Sequence, residues 1–149
     1  VIIDSSADFA DAARKICASK TFDNSTSCSA ENALIILDEV YDEMLNELQI
    51  VGGYLATQEE GERISDMLFE DGKVNRYAVG QDLDVLDSFF GLDGRTTGKR
   101  FIMVKEQIYG LDAPLSGEKL SLIMTIFRAK SFDSAMDIVD GILAYEGIG

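Results

Sequence analysis

Apolar residues recur along this chain in two rhythms. Phe9, Ala13, Ile16, Cys17 and Lys20 fall on one stripe at three- and four-residue spacing, which predicts an amphipathic helix over residues 7–19. Asp4-Ser5-Ser6 offers caps ahead of it, and Val1 to Ile3 reads as the end of a strand. A polar stretch over residues 20–32 follows. Then Ala33-Leu34-Ile35-Ile36-Leu37 is apolar at every position and rich in branched side chains. A strand covered on both faces, as in a parallel sheet, has that pattern.

The alternation continues. Val40, Met44, Leu48 and Val51 stripe a helix over residues 39–51 that Gly52-Gly53 ends. Thr57 and Glu60 have the spacing of a capping box and open a helix carrying Ile64, Met67 and Leu68, stopped by Asp71-Gly72. Residues 82–90 predict a shorter helix with Leu83, Leu86 and Phe90 inward, followed by a Gly- and Thr-rich loop over 91–99. Residues 101–104 and 120–128 read as strands, separated by an irregular stretch holding the only proline, Pro114. Ser131 caps a last helix, with Phe132, Ala135, Val139 and Leu143 on its inner face and Gly147 at its end. Strands alternating with helices favour an α/β fold: an open, largely parallel sheet with helices on both faces.

Composition narrows the function. A chain of 149 residues fits one domain, and a 46% hydrophobic fraction fits an ordinary globular core. The net charge of −14 repels phosphate backbones, so nucleic acid is not an expected partner. No apolar run approaches the roughly 20 residues that span a bilayer, and the start lacks the pattern of a signal peptide. A cytoplasmic chain with reduced thiols is the expectation. There is no histidine, which excludes a Cys–His or Ser–His–Asp arrangement built within these residues. Two cysteines alone make a poor zinc set, so no metal site is expected. The chain starts inside an apolar run and stops on Gly147-Ile148-Gly149, which suggests a segment of a longer polypeptide.

The candidate chemistry lies at Cys28. Free cysteine is commonly a small buried side chain. Here Asn24, Ser25, Thr26, Ser27 and Ser29 surround it, which is not a core neighbourhood. Amides in a tight loop favour a thiolate and bind an oxyanion, so Cys28 reads as a nucleophile at the edge of a sheet. Cys17 lies on an apolar helix face and reads as structural.

Ser19-Lys20-Thr21-Phe22-Asp23-Asn24, then Cys28, then Glu31-Asn32 and an apolar strand resemble the active-site segment of the CoA-acylating aldehyde dehydrogenases. Val1-Ile2-Ile3-Asp4 with Ala7-Asp8 resembles the approach to that segment. Leu115-Ser116-Gly117-Glu118-Lys119-Leu120-Ser121 resembles the family's cofactor-contacting stretch, and Tyr145 to Gly149 the end of the helix that follows. The wording around Cys28 is most similar to the branch acting on sulfoacetaldehyde or succinate semialdehyde.

The resemblance implies a catalytic-domain segment, 1–149, without the family's dinucleotide-binding domain. It implies Cys28 as the nucleophile, its own amide as an oxyanion donor, and Glu118 as a contact to the nicotinamide ribose. Leu120 packs under the ring or starts the strand. The implied reaction converts a small aldehyde and CoA to acyl-CoA with reduction of NAD or NADP, in a full-length protein that forms a homo-oligomer. Two alternatives stand: a non-acylating aldehyde dehydrogenase releasing a carboxylic acid, and a non-catalytic acidic α/β interaction domain.

Overall fold

A computed structural model of the chain describes residues 1–146, with Glu146 described by its backbone alone. The five-residue apolar run forms strand β2 (Ala33–Leu37), which lies between β1 (Ile2–Ile3) and β7 (Ile123–Ala129). With neighbours on both sides and helices over its faces, β2 has no position that needs a polar side chain. The sheet continues through β6 (Phe101–Glu106) to β3 (Gly53–Leu55), in the order β1-β2-β7-β6-β3, and every pairing is parallel.

Five helices connect and cover the strands: α1 (Phe9–Thr21), α2 (Tyr41–Ile50), α3 (Gln58–Leu68), α4 (Leu83–Phe90) and α5 (Phe132–Glu146). The chain runs outward from β1 through β2 to β3, then returns through β6 to β7. Parallel crossovers are right-handed, so the outward and return runs lay their helices on opposite faces. Helices α1 and α2 pack together, whereas α5 packs on β7 and β2, and α3 packs on β6 and α4. The expected open parallel sheet with helices on both faces is the observed one.

Several local expectations change. The cap of α1 is Asp8, whose carboxylate accepts from the Asp11 amide at 3.0 Å; Asp4 instead closes a turn on Ser6. Strand β3 escaped the reading because Gly53 directly follows the end of a helix. Gly53 is nevertheless required there, since a Cβ would stand 2.8 Å from the Leu48 carbonyl oxygen. Asp71-Gly72 is a hairpin turn, both residues having positive φ, joining β4 (Phe69–Glu70) to antiparallel β5 (Lys73–Val74). On α5, Ala135 is buried, but Phe132 and Leu143 are exposed. Gly147 lies outside the described residues. The Thr57–Glu60 capping box forms as expected.

Candidate functional site

Helix α1 ends at Thr21, and the backbone then turns abruptly. Asp23, Asn24 and Ser25 have φ of 49°, 50° and 64°, a left-handed run that short polar side chains tolerate. Amide-to-carbonyl bonds from Thr26 to Asp23 and from Ala30 to Ser27 shape the rest of the loop. Cys28 sits between them and is exposed, whereas Cys17 is 1% exposed. Burial raises the Cys17 thiol's pKa, opposed by nearby Arg100, and the thiol donates to the Val51 carbonyl. The two thiols thus differ as their neighbourhoods imply. The loop feeds an interior strand at its amino end, not an edge strand.

Glu118 precedes β7 and is half-buried. Because β2 and β7 are adjacent and parallel, with Ala33 opposite Thr125, their entry loops meet at one end of the sheet. Asn32 joins them: its side-chain amide donates to the Gly117 carbonyl at 2.8 Å. The Lys119 ammonium, fully buried, donates to the Asn32 carbonyl at 3.3 Å, the Asn32 Oδ1 at 3.2 Å and the Gly117 carbonyl at 2.8 Å. A second tie runs through residues 80–82. Asn24 Nδ2 donates to the Gly80 carbonyl and to Asp82 Oδ1, and the Gly80 amide donates to the Leu120 carbonyl at 2.9 Å. Leu120 has φ +44° and lies ahead of the strand it was expected to start.

The sequence reading assigned no role to Asn32, Lys119 or Asn24. All three occur within or beside the quoted motifs, but nothing in their spacing reveals ties across 56, 58, 85 or 87 positions. Lys20 had a readable signal, since it falls on the buried stripe of α1. It is 1% exposed, and burial lowers its pKa to about 7, with Glu31 opposing that shift. A cavity of about 300 Å³ lies beside the loop, lined by Ser29, Glu31 and Asn32 and by Val139 and Ile142 of α5. One oxygen of Glu31, Oε2, is buried without a hydrogen-bond partner.

Other polar groups serve the scaffold. Burial opposes ionisation of Glu60, but the Thr57 amide, Tyr54 and Arg95 together hold its pKa below the usual value. Asp87 behaves likewise: burial raises its pKa, and bonds from Thr96 and Gly94 lower it further than burial lifts it. Those bonds, at 2.7–2.9 Å, fold the loop after α4 over its carboxylate. This loop follows a helix rather than a strand, so it is not a dinucleotide-binding turn. Among the described residues no cluster of potential metal ligands occurs. Among the same described residues no helix is long and apolar enough to cross a membrane.

Cys28 and Glu118 thus stand on loops that enter adjacent parallel strands at one end of the sheet. Solved structures share this fold. An acetylating aldehyde dehydrogenase from Geobacillus thermoglucosidasius superposes with a TM-score of 0.94 at 28% identity, covering 99% of this chain and 32% of that one. A propionaldehyde dehydrogenase from the fucose-utilisation microcompartment of Clostridium phytofermentans gives 0.83 at 30% identity, covering 95% of this chain and 32% of that one. Among curated proteins, a sulfoacetaldehyde dehydrogenase (acylating) from Cupriavidus necator is 42% identical over 99% of this chain and 30% of its own length. No family model matches. The chain is homologous along its length to one segment of the CoA-acylating aldehyde dehydrogenases, and it spans about a third or less of the relatives it matches.

Proposed function

We propose that this chain supplies the thiol and one cofactor contact of an acylating aldehyde dehydrogenase acting on a small aldehyde, in the cytoplasm and within a homo-oligomer. The observation that carries the reading is the exposed Cys28 on a loop tied through Asn32 to the Glu118 loop.

Cys28 attacks the aldehyde carbon as a thiolate and forms a hemithioacetal. Loss of hydride from that carbon leaves a thioester on Cys28. The CoA thiol then takes the acyl group and frees the cysteine. Overall, aldehyde, CoA and oxidised dinucleotide give acyl-CoA, reduced dinucleotide and a proton. A soft nucleophile suits this route because its thioester exchanges readily with another thiol. The backbone amide of Cys28 is the local donor proposed for the developing oxyanion.

NAD or NADP, when bound, supplies the hydride acceptor. The residues here fit one end of it. Glu118 is a half-buried carboxylate on a fixed loop, chemically suited to accept from both ribose hydroxyls. The similarity to a sulfoacetaldehyde dehydrogenase favours a short anionic aldehyde as substrate.

The test is product analysis on the full-length protein with sulfoacetaldehyde, with and without CoA. Acyl-CoA formation that disappears in Cys28→Ser, with the fold retained, is the expected result. Acid release independent of CoA would assign the non-acylating chemistry instead. If iodoacetamide modifies Cys28 no faster than Cys17 at neutral pH, the non-catalytic reading stands.

A further inference from the structure

Lys119 is one of the largest fully buried side chains of the described residues, and its ammonium spans two loops. Burying an ammonium is costly unless several acceptors replace its water. Here two of its acceptors belong to Asn32, four positions after Cys28, and a third to Gly117, which adjoins Glu118. Asn32 answers with its own bond to Gly117. The Asn32 carbonyl also accepts from the Thr125 amide at 3.2 Å, in the first rung of the β2–β7 ladder. Beyond Lys119, Leu120 holds a left-handed φ that a branched side chain adopts only under constraint, and its carbonyl takes the Gly80 amide. Gly80 in turn carries Asn24, at the other end of the Cys28 loop. The thiol loop is therefore fastened at both ends to the segment bearing Glu118.

We propose that Lys119, with Asn32, is a positioning residue that sets where the Cys28 thiol stands relative to the Glu118 carboxylate. This rests on Cys28 and Glu118 having the roles proposed above. A nucleophile and a cofactor contact on separate loops must keep their spacing to within a fraction of an ångström for hydride transfer. Two flexible loop entries cannot do that alone. A buried ammonium with fixed acceptors can, because moving either loop strips it of partners in a dry environment. The role is mechanical: the buried ammonium acts through Asn32 and Gly117, which it holds together.

The experiment compares Lys119→Met, Asn32→Ala and Cys28→Ser in the full-length protein, using sulfoacetaldehyde, CoA and NAD or NADP. The proposal expects both clamp variants to raise the dinucleotide KM about tenfold and lower kcat about tenfold, with the CoA KM changed less than twofold. It also expects saturating dinucleotide to lose at least half of its effect on the rate at which iodoacetamide modifies Cys28. If Lys119→Met does not fold, Asn32→Ala decides by the same readouts. Wild-type kinetics in a folded clamp variant, with Cys28→Ser inactive, overturns the clamp and leaves the function intact. Equal losses toward dinucleotide and CoA that follow the folded fraction also overturn it, as a purely structural effect. Acyl-CoA formation by Cys28→Ser overturns the functional reading and the clamp with it.

Discussion

Lys20 shows how one residue can carry both a readable signal and a hidden cost. It continues the α1 stripe, and in the last turn its charge faces the negative end of the helix dipole. Burial nonetheless holds its pKa down to about 7, against 10.5 for the free group. Below about pH 7 both folded and unfolded chains hold the proton, and folding bears the full cost of burying a charge. Between about 7 and 10.5 the unfolded chain binds a proton that the folded chain lacks, so stability rises with pH. The slope from this one group reaches about 1.4 kcal/mol per pH unit. Wild type should therefore gain stability on Lys20→Met between pH 7 and 9 in paired denaturant melts. A difference between the two that stays flat over that range contradicts the buried amine. Cys17 and Cys28 make the same point more simply: one lies on an apolar stripe and is buried, the other lies among Ser, Thr and Asn and is exposed.

Among the elements, strands flanked by clear stops were the easiest to read, and those abutting a helix the hardest. The five apolar residues of β2 declare a doubly covered strand. The three residues of β3 do not, because Gly53 is read first as a helix terminator. Its need for glycine comes from packing: the Leu48 carbonyl of α2 and the tip of Met103 in β6 both lie 2.8 Å from a Cβ position. Met103 can swing aside, but the α2 carbonyl cannot. Gly53→Ala should destabilise the fold by about 1–3 kcal/mol, the usual cost of overpacking, read from denaturant midpoints. An unchanged midpoint would show that α2 yields at its end. The α3 amino end shows the opposite case. Its capping box is legible at three-residue spacing, yet the bond from Arg95 to Glu60 at 2.6 Å comes from 35 positions away and leaves no local trace. The exposed Phe132 and Leu143 on α5 were misassigned for a related reason, since periodicity gives a stripe but not its width.

At the scale of the molecule, 27 carboxylates against 13 basic side chains set a strong negative field. The ion pairs among the described residues include two that share Asp11, one from Arg95 to Glu60 and one from Arg128 to Asp38. Net repulsion therefore outweighs pairing at low ionic strength. Raising sodium chloride from about 10 to 150 mM shortens the screening length from roughly 30 to 8 Å and should raise the melting temperature. A fall in melting temperature would mean that the few ion pairs dominate instead.

The chain's own pattern determined the alternation of strands and helices, the parallel sheet, the capping of α3 and the polar setting of Cys28. Each depends on neighbours within about one turn or one strand, where spacing and side-chain type suffice. Tertiary structure alone decided that β2 and β7 stand side by side, and hence that the Cys28 and Glu118 loops meet. It also decided that Lys119 is buried between them, because a lysine's environment is set by what folds over it, and here two of its acceptors, both on Asn32, lie 87 positions earlier.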